Sequence, residues 1–297
     1  MNEAAGSAST GVDAAAMGAG VLHAKAAAAR FSLNRYPPPA GLAPFVDFCW
    51  VIRWDLRGQL PHDQAILPHP NVNLAFEATG AAVFGVDTKI FTRRLSGQGK
   101  ALGVRFRPGG FRPFYAKPIV TLNDRVVPAH RVFGPAADQA CALVMAESAG
   151  DAAMIEAAAG LLRGARPAPD PVAGQVADLV TLITRDQGLC RVAQLAEVSG
   201  LPERRLQRMF ADYVGVSPKW VMRRARLHEA ALRAEGGGAA SVNWAALAAD
   251  LGYADQAHLT RDFTATIGVP PTHYAAGAGP SRSQLLPAMS RNTATRP

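Results

Sequence analysis

The chain has 297 residues, with 31 Lys+Arg against 23 Asp+Glu, a formal net charge of +8 and 49% apolar side chains. That apolar content offsets the entropy of ordering the chain and excludes wholesale disorder. No apolar run reaches the roughly 18 residues of a membrane span. The length suits about two domains of roughly 150 residues each.

Residues 1–30 are rich in Ala and Gly and read as a flexible leader. Residues 14–24 form a faint apolar stretch, but Glu3 and Asp13 precede it and no Lys or Arg does. A secretory signal opens with a basic segment, so export is rejected and a cytoplasmic protein is expected. Three scattered cysteines, Cys49, Cys141 and Cys190, argue against both a disulfide framework and a zinc site of cysteine pairs.

Residues 31–163 read as one domain. Strand-like runs at 45–52, 72–76, 82–86, 102–106 and 119–122 alternate with Pro- and Gly-rich turn signals. Short strands at such spacing predict a sandwich or barrel. Residues 136–163 turn Ala-, Leu- and Met-rich and predict one or two helices. Residues 164–174 open with GARPAPDP, a Pro-rich linker. Residues 175–275 read as helical throughout, and residues 276–297 as a flexible tail. The fold class expected is therefore α+β in two domains.

The positive charge does not locate a binding surface. Residues 1–174 carry +4, residues 175–275 only +1, and the tail +3. A local run is more telling. Arg204, Arg205, Arg208, Lys219, Arg223, Arg224 and Arg226 are interrupted by one acid, Asp212. Taken alone, such a run reads as a solvated helix face.

The flanking pattern changes that reading, because the helical region repeats. Phe210, Gly215 and Pro218 recur as Phe263, Gly268 and Pro271, 53 residues later. Upstream, Ala196 and Gly200 recur as Ala248 and Gly252. In a helix-turn-helix the first helix needs a small residue where the second crosses it, and the turn needs a residue tolerant of positive φ. Leu206 and Leu259 supply the buried residue of each second helix. Pro202 and Asp255 mark the helix starts. The second helix of each unit would turn its polar face to the DNA major groove: Arg204, Arg205, Gln207 and Arg208 in one, Gln256, His258, Thr260 and Arg261 in the other. Arg pairs with guanine and Gln with adenine, and Thr can donate, accept or touch a methyl. Lys219, Arg223 and Arg224, at the start of the intervening helix, are better placed for phosphates.

At VAQLAEVSGLPERRLQRMFADYVGVSPKWVMRRARLHEA and WAALAADLGYADQAHLTRDFTATIGVPPTHY the sequence resembles the AraC/XylS family of bacterial transcription regulators. The resemblance implies double-stranded DNA as partner, read in the major groove at two adjacent sites. It places base reading on Arg204, Gln207 and Arg208 and on Gln256, His258, Thr260 and Arg261. Leu259 departs from the family's usual aromatic, and Ala257 is small where some relatives carry a longer residue. PHPNVNLAFE, RRLSGQGKALGVRFRPGGFRPFY and LNDRVVP resemble the sensor-type domain of one family branch. That likeness implies a β-barrel or cupin-like domain with helices, an unknown small-molecule effector, and helices that mediate a homodimer or merely pack on their own barrel. RNA polymerase is a further implied partner, and no membrane is.

Other chemistry is weaker. A speculative ligand pocket would use Trp50, His69, Asn71, Arg105 and Arg107, with Trp54, Phe76 and Phe84 nearby. Arg105 and Arg107 share one strand face and read equally well as an exposed surface pair. His62 and His69 lack a clear third ligand, so no metal is expected. No nucleophile elbow or phosphate-binding loop is present, and neither a cofactor nor an enzyme activity is expected. The rival reading, a DNA-binding module fused to an alkyl-transfer enzyme, needs a reactive cysteine, and Cys49 sits in an apolar strand.

Overall fold

The computed structural model describes residue 22 and residues 27–186, 188–237 and 242–277. Most of the expected leader and nearly all of the expected tail lie outside these residues.

Two long antiparallel strands, β2 (Val46–Leu56) and β7 (Gly97–Phe106), form the centre of the N-terminal domain. β1 (Ser32–Tyr36) flanks β2. β4 (Asn73–Glu77), β5 (Gly80–Phe84) and β8 (Val126–Pro128) extend the sheet past β7, in the order β1-β2-β7-β4-β5-β8. β3 (His62–Ile66) and β6 (Phe91–Leu95) pair as a separate two-stranded sheet. The β-rich domain with helices is as expected, but it consists of two open sheets and not a closed barrel.

The period of two along a strand sorts the side chains onto two faces. Cys49, Val51, Leu74, Phe76, Leu102, Val104 and Phe106 share one face and are all buried. Three helices cover them: α1 (His130–Phe133), α2 (Ala136–Met145) and α3 (Asp151–Gly164), which contribute Ala137, Val144, Met154 and Leu162. Burying each large apolar side chain there contributes about 1.5–3 kcal/mol. The opposite face carries Phe48, Trp50, Asn73 and Arg105 and lines a cavity.

One strand expectation is corrected. Residues Ile119–Leu122 form a 3₁₀ turn. Pro118 precedes the run, the Thr121 hydroxyl donates back to the Pro118 carbonyl at 2.7 Å, and the chain turns at Asp124 with φ 55°. Four β-branched or apolar residues are too few to hold an extended strand against those local bonds.

The C-terminal domain contains α4 (Pro171–Arg185), α5 (Val192–Ser199), α6 (Glu203–Tyr213), α7 (Pro218–Gly237), α8 (Trp244–Asp250), α9 (Gln256–Ile267) and α10 (Pro271–Ala275). Asp170 caps α4 by accepting from the Val172 amide at 2.9 Å, and it also accepts from the Tyr213 hydroxyl at 2.8 Å.

The domains are packed together. Val86 joins the core of α4–α7 around Leu195, Leu206 and Phe210. Ala65 and Leu67 join the core of α7–α10 around Leu227, Trp244, Leu259 and Phe263. Leu22, within the expected leader, is 4% exposed in that second core and donates its amide to the Ala65 carbonyl.

Candidate nucleic-acid interface

Two helix-turn-helix units emerge as the repeat predicts. Between α5 and α6 the chain turns at Gly200 with φ 67°, and between α8 and α9 at Gly252 with φ 68°. A side chain in that left-handed region costs roughly 1–2 kcal/mol, which is why glycine stands at both turns. Leu206 and Leu259 are fully buried, as are Phe210 and Phe263. Pro218 begins α7 and Pro271 begins α10, each three residues past Gly215 or Gly268. Proline suits a helix start because its missing N–H would have no intrahelical partner there.

The polar faces follow from helical periodicity. α6 buries Leu206, Met209 and Phe210, while Arg204, Arg205, Gln207 and Arg208 are exposed. α9 buries Leu259, Phe263 and Ile267; Gln256, His258 and Arg261 are exposed and Thr260 is half-buried. Asp255 caps α9, accepting from the His258 amide at 2.6 Å. The His258 ring meets Tyr253 edge-on, with centroids 5.1 Å apart. The spacer α7 has 20 residues and is therefore about 30 Å long.

The basic run divides among different tasks. Lys219 is exposed at the start of α7. Arg223 is tied to Asp262 of α9 at 3.1 Å. Arg226 stacks over the Tyr253 ring at 4.5 Å. Both brace the second unit on the spacer helix. Arg224 departs from expectation: it is 8% exposed and donates to the Pro68 carbonyl at 2.8 Å and to the His69 ring at 2.6 Å. In this arrangement it faces the N-terminal domain and not the outer surface where a DNA backbone would lie. Its position could have been read from the sequence, since Arg224 falls three residues after Val221 and three before Leu227, on the apolar stripe of α7.

The N-terminal cavity has a volume of about 220 Å³, and Phe48, Trp50, Trp54, Phe84, Phe91 and Arg105 help line it. Trp50 stands opposite Gly103, where a Cβ would lie 1.9 Å from the indole. The missing side chain lets the ring lie across β7. His69 and Asn71 reach the cavity, and Arg105 donates to the Asn71 amide oxygen at 2.8 Å. Arg35 and Arg105 both stack on Phe48, at 4.9 and 5.1 Å. Two pocket residues are corrected. Phe76 belongs to the core on the other face of β4, and Arg107 is exposed at a separate cleft between the domains. Arg185 and Asp47, absent from the sequence reading, line that cleft.

His62 contacts Gln64 at 3.1 Å, whereas His69 engages Arg224, so the two histidines have different partners. Cys49 is fully buried and burial pushes its thiol up to about 12. It therefore has neither the thiolate nor the access that alkyl transfer demands.

Residues 34–128 match a family described as a domain of unknown function (DUF6597), and residues 195–277 match a helix-turn-helix domain family. No curated protein matches the chain. Among solved structures the chain is similar to ToxT from Vibrio cholerae in its 1.65 Å form, with 11% identity, 83% of this chain and 98% of that one covered, and a TM-score of 0.37. It is similar to the same protein with unsaturated fatty acid bound, at 11% identity, 85% and 98% coverage and a TM-score of 0.36. The form bound to (E)-4-(8-methylnaphthalen-1-yl)but-3-enoic acid gives 10% identity, 83% and 98% coverage and a TM-score of 0.37. The two glycine turns, the paired second helices and the family match over residues 195–277 together identify the C-terminal domain as a helix-turn-helix domain.

Proposed function

We propose that the protein is a cytoplasmic, sequence-specific transcription regulator that reads two adjacent stretches of major groove with α6 and α9. One observation carries the reading: two helices display exposed Arg, Gln and His rows, with Thr260 half-buried beside them, while their opposite faces anchor in separate cores joined by one spacer helix. The base-reading side chains are Arg204, Arg205, Gln207 and Arg208 in the first unit and Gln256, His258, Thr260 and Arg261 in the second. Lys219 supplies a phosphate contact. The aromatic cavity of the N-terminal domain is the place for a small effector, because it combines an apolar wall with Arg105 and Asn71.

Selection of bound duplexes from a random pool tests this. The spacer of about 30 Å supports two sequence elements about one helical turn apart. Recovery of no motif, or of one isolated element unaffected by changes in α9, counts against the reading.

A further inference from the structure

The cleft between the domains, separate from the aromatic cavity, has a volume of about 440 Å³. Asp47, Arg105 and Arg107 reach it from the N-terminal domain, Arg185 from α4 and Arg224 from α7. Four guanidinium groups against one carboxylate leave a formal balance of +3.

Two of these cations are not surface residues. Arg224 is 8% exposed, and its donors meet the Pro68 carbonyl and the His69 ring. Among the described residues no carboxylate lies within ion-pair distance of it. The Arg105 side chain is 16% exposed and approaches the same His69 nitrogen at 3.4 Å. Its Nε is buried without a hydrogen bond, 3.4 Å from Asp47, whose own side chain is 44% exposed. Burial pushes Arg224 down to about 9, helped by the neighbouring Arg105, and pushes Arg105 down to about 10. Both stay charged at neutral pH, so two cations are desolvated side by side with one weak counter-charge. Such an arrangement is costly unless an anion completes it.

We propose that this interdomain cleft binds a compact dianion, a phosphate group on a small non-aromatic molecule, held by Arg105, Arg107, Arg185 and Arg224. Planar guanidinium forks match phosphate oxygens in pairs. A dianion balances the cleft better than a single carboxylate does. Among the described residues no aromatic ring lines the cleft, and those residues offer no stacking platform for a base or an aromatic acid. The volume leaves room for a few carbon atoms beside the phosphate. Because the arginines come from both domains, the bound anion joins them. The site stands independently of the DNA reading.

The test uses the full chain, titrated with inorganic phosphate at constant ionic strength in a chloride background. Calorimetry should show saturable binding, and thermal unfolding should show a rise in Tm that added chloride does not give. Arg107→Gln and Arg185→Gln, both at exposed positions, should each weaken phosphate about tenfold, the loss of one charge-assisted contact. Their Tm without phosphate should match that of the unmodified protein. Glycerol phosphate should bind more tightly than inorganic phosphate; the reverse order overturns the organic part of the ligand. Equal Tm shifts from phosphate and chloride, or unchanged phosphate affinity in the Arg107→Gln, Arg185→Gln double variant, overturn the site itself.

Discussion

Arg208 lies on the exposed face of α6, between the buried Leu206 and Met209. It makes no ion pair or side-chain hydrogen bond among the described residues. Arg208→Ala therefore removes little from the fold, and unfolding stability should change by less than about 0.5 kcal/mol. On DNA the loss is that of one bidentate contact to a guanine edge, about 1–3 kcal/mol. That is roughly 5- to 150-fold in affinity for the preferred duplex. On a duplex already altered at the contacted base pair, the same substitution should cost little. Lys219→Ala supplies the contrast. Its ammonium is exposed at the start of α7, so its loss should weaken every duplex by a similar factor. It should also flatten the slope of log affinity against log salt by about 0.9. Fluorescence anisotropy on a selected duplex and its single-base variants, across a salt series, measures both effects. A uniform loss from Arg208→Ala, or a base-selective loss from Lys219→Ala, refutes the assignment of reading to α6 and positioning to α7.

Asp255→Ala removes the cap of α9 and should cost about 1 kcal/mol in thermal unfolding, with Asp255→Asn recovering most of it. Cys49 has its thiol pushed up by burial to about 12, so it stays protonated at pH 8. Peptide mapping after thiol labelling should find Cys49 unmodified in the native protein and modified in urea; native labelling would contradict its burial. Burial pulls the Asp151 carboxyl up, but the hydrogen bond from Tyr36 and the pairing with Arg53 at 2.5 Å outweigh it and hold the group below its ordinary value. A depressed carboxyl stabilises the fold above its unfolded pKa of about 3.9, and that contribution disappears as pH falls through the folded value. Asp151→Asn should therefore flatten the acid side of a urea-midpoint-against-pH curve. An unchanged curve would mean the pair adds nothing.

The two helix-turn-helix units were legible in the sequence because their determinants are local. A glycine four residues after an alanine, then Phe, Gly and Pro at fixed offsets, encode a turn, an anchor and a helix start within some 25 residues. The central strands were legible for a similar reason, since residues 102–106 alternate between core and cavity faces. β3 and β6 were not. His62-Asp63-Gln64 and Thr92-Arg93-Arg94 carry polar side chains that look like loop, and only pairing with each other holds them extended. Arg224 was legible only from its helical phase, not from its neighbours in the sequence. Its linear neighbour Arg223 is tied to Asp262 of α9, and proximity in sequence suggests one shared task, phosphate contact, for Lys219, Arg223 and Arg224. A step of about 100° per residue along the helix places Arg224 against another domain instead. The interdomain cleft was invisible because its arginines come from segments as distant as residues 105 and 224, with no local pattern linking them.

The apolar cluster that takes in Leu22, Ala65 and Leu67 together with the residues of α7–α10 bears on how the molecule comes apart. A domain cut at the linker would expose that surface, and the second reading unit would lose part of its own interior. Melting of the two domains should then register as one cooperative event, with hydrogen exchange at Leu259 and at Leu67 governed by the same opening. In thermodynamic terms the boundary between the folding units does not run along the linker. It runs through the helices, and the half of the reader nearest the C-terminus is completed by side chains from the opposite end of the chain.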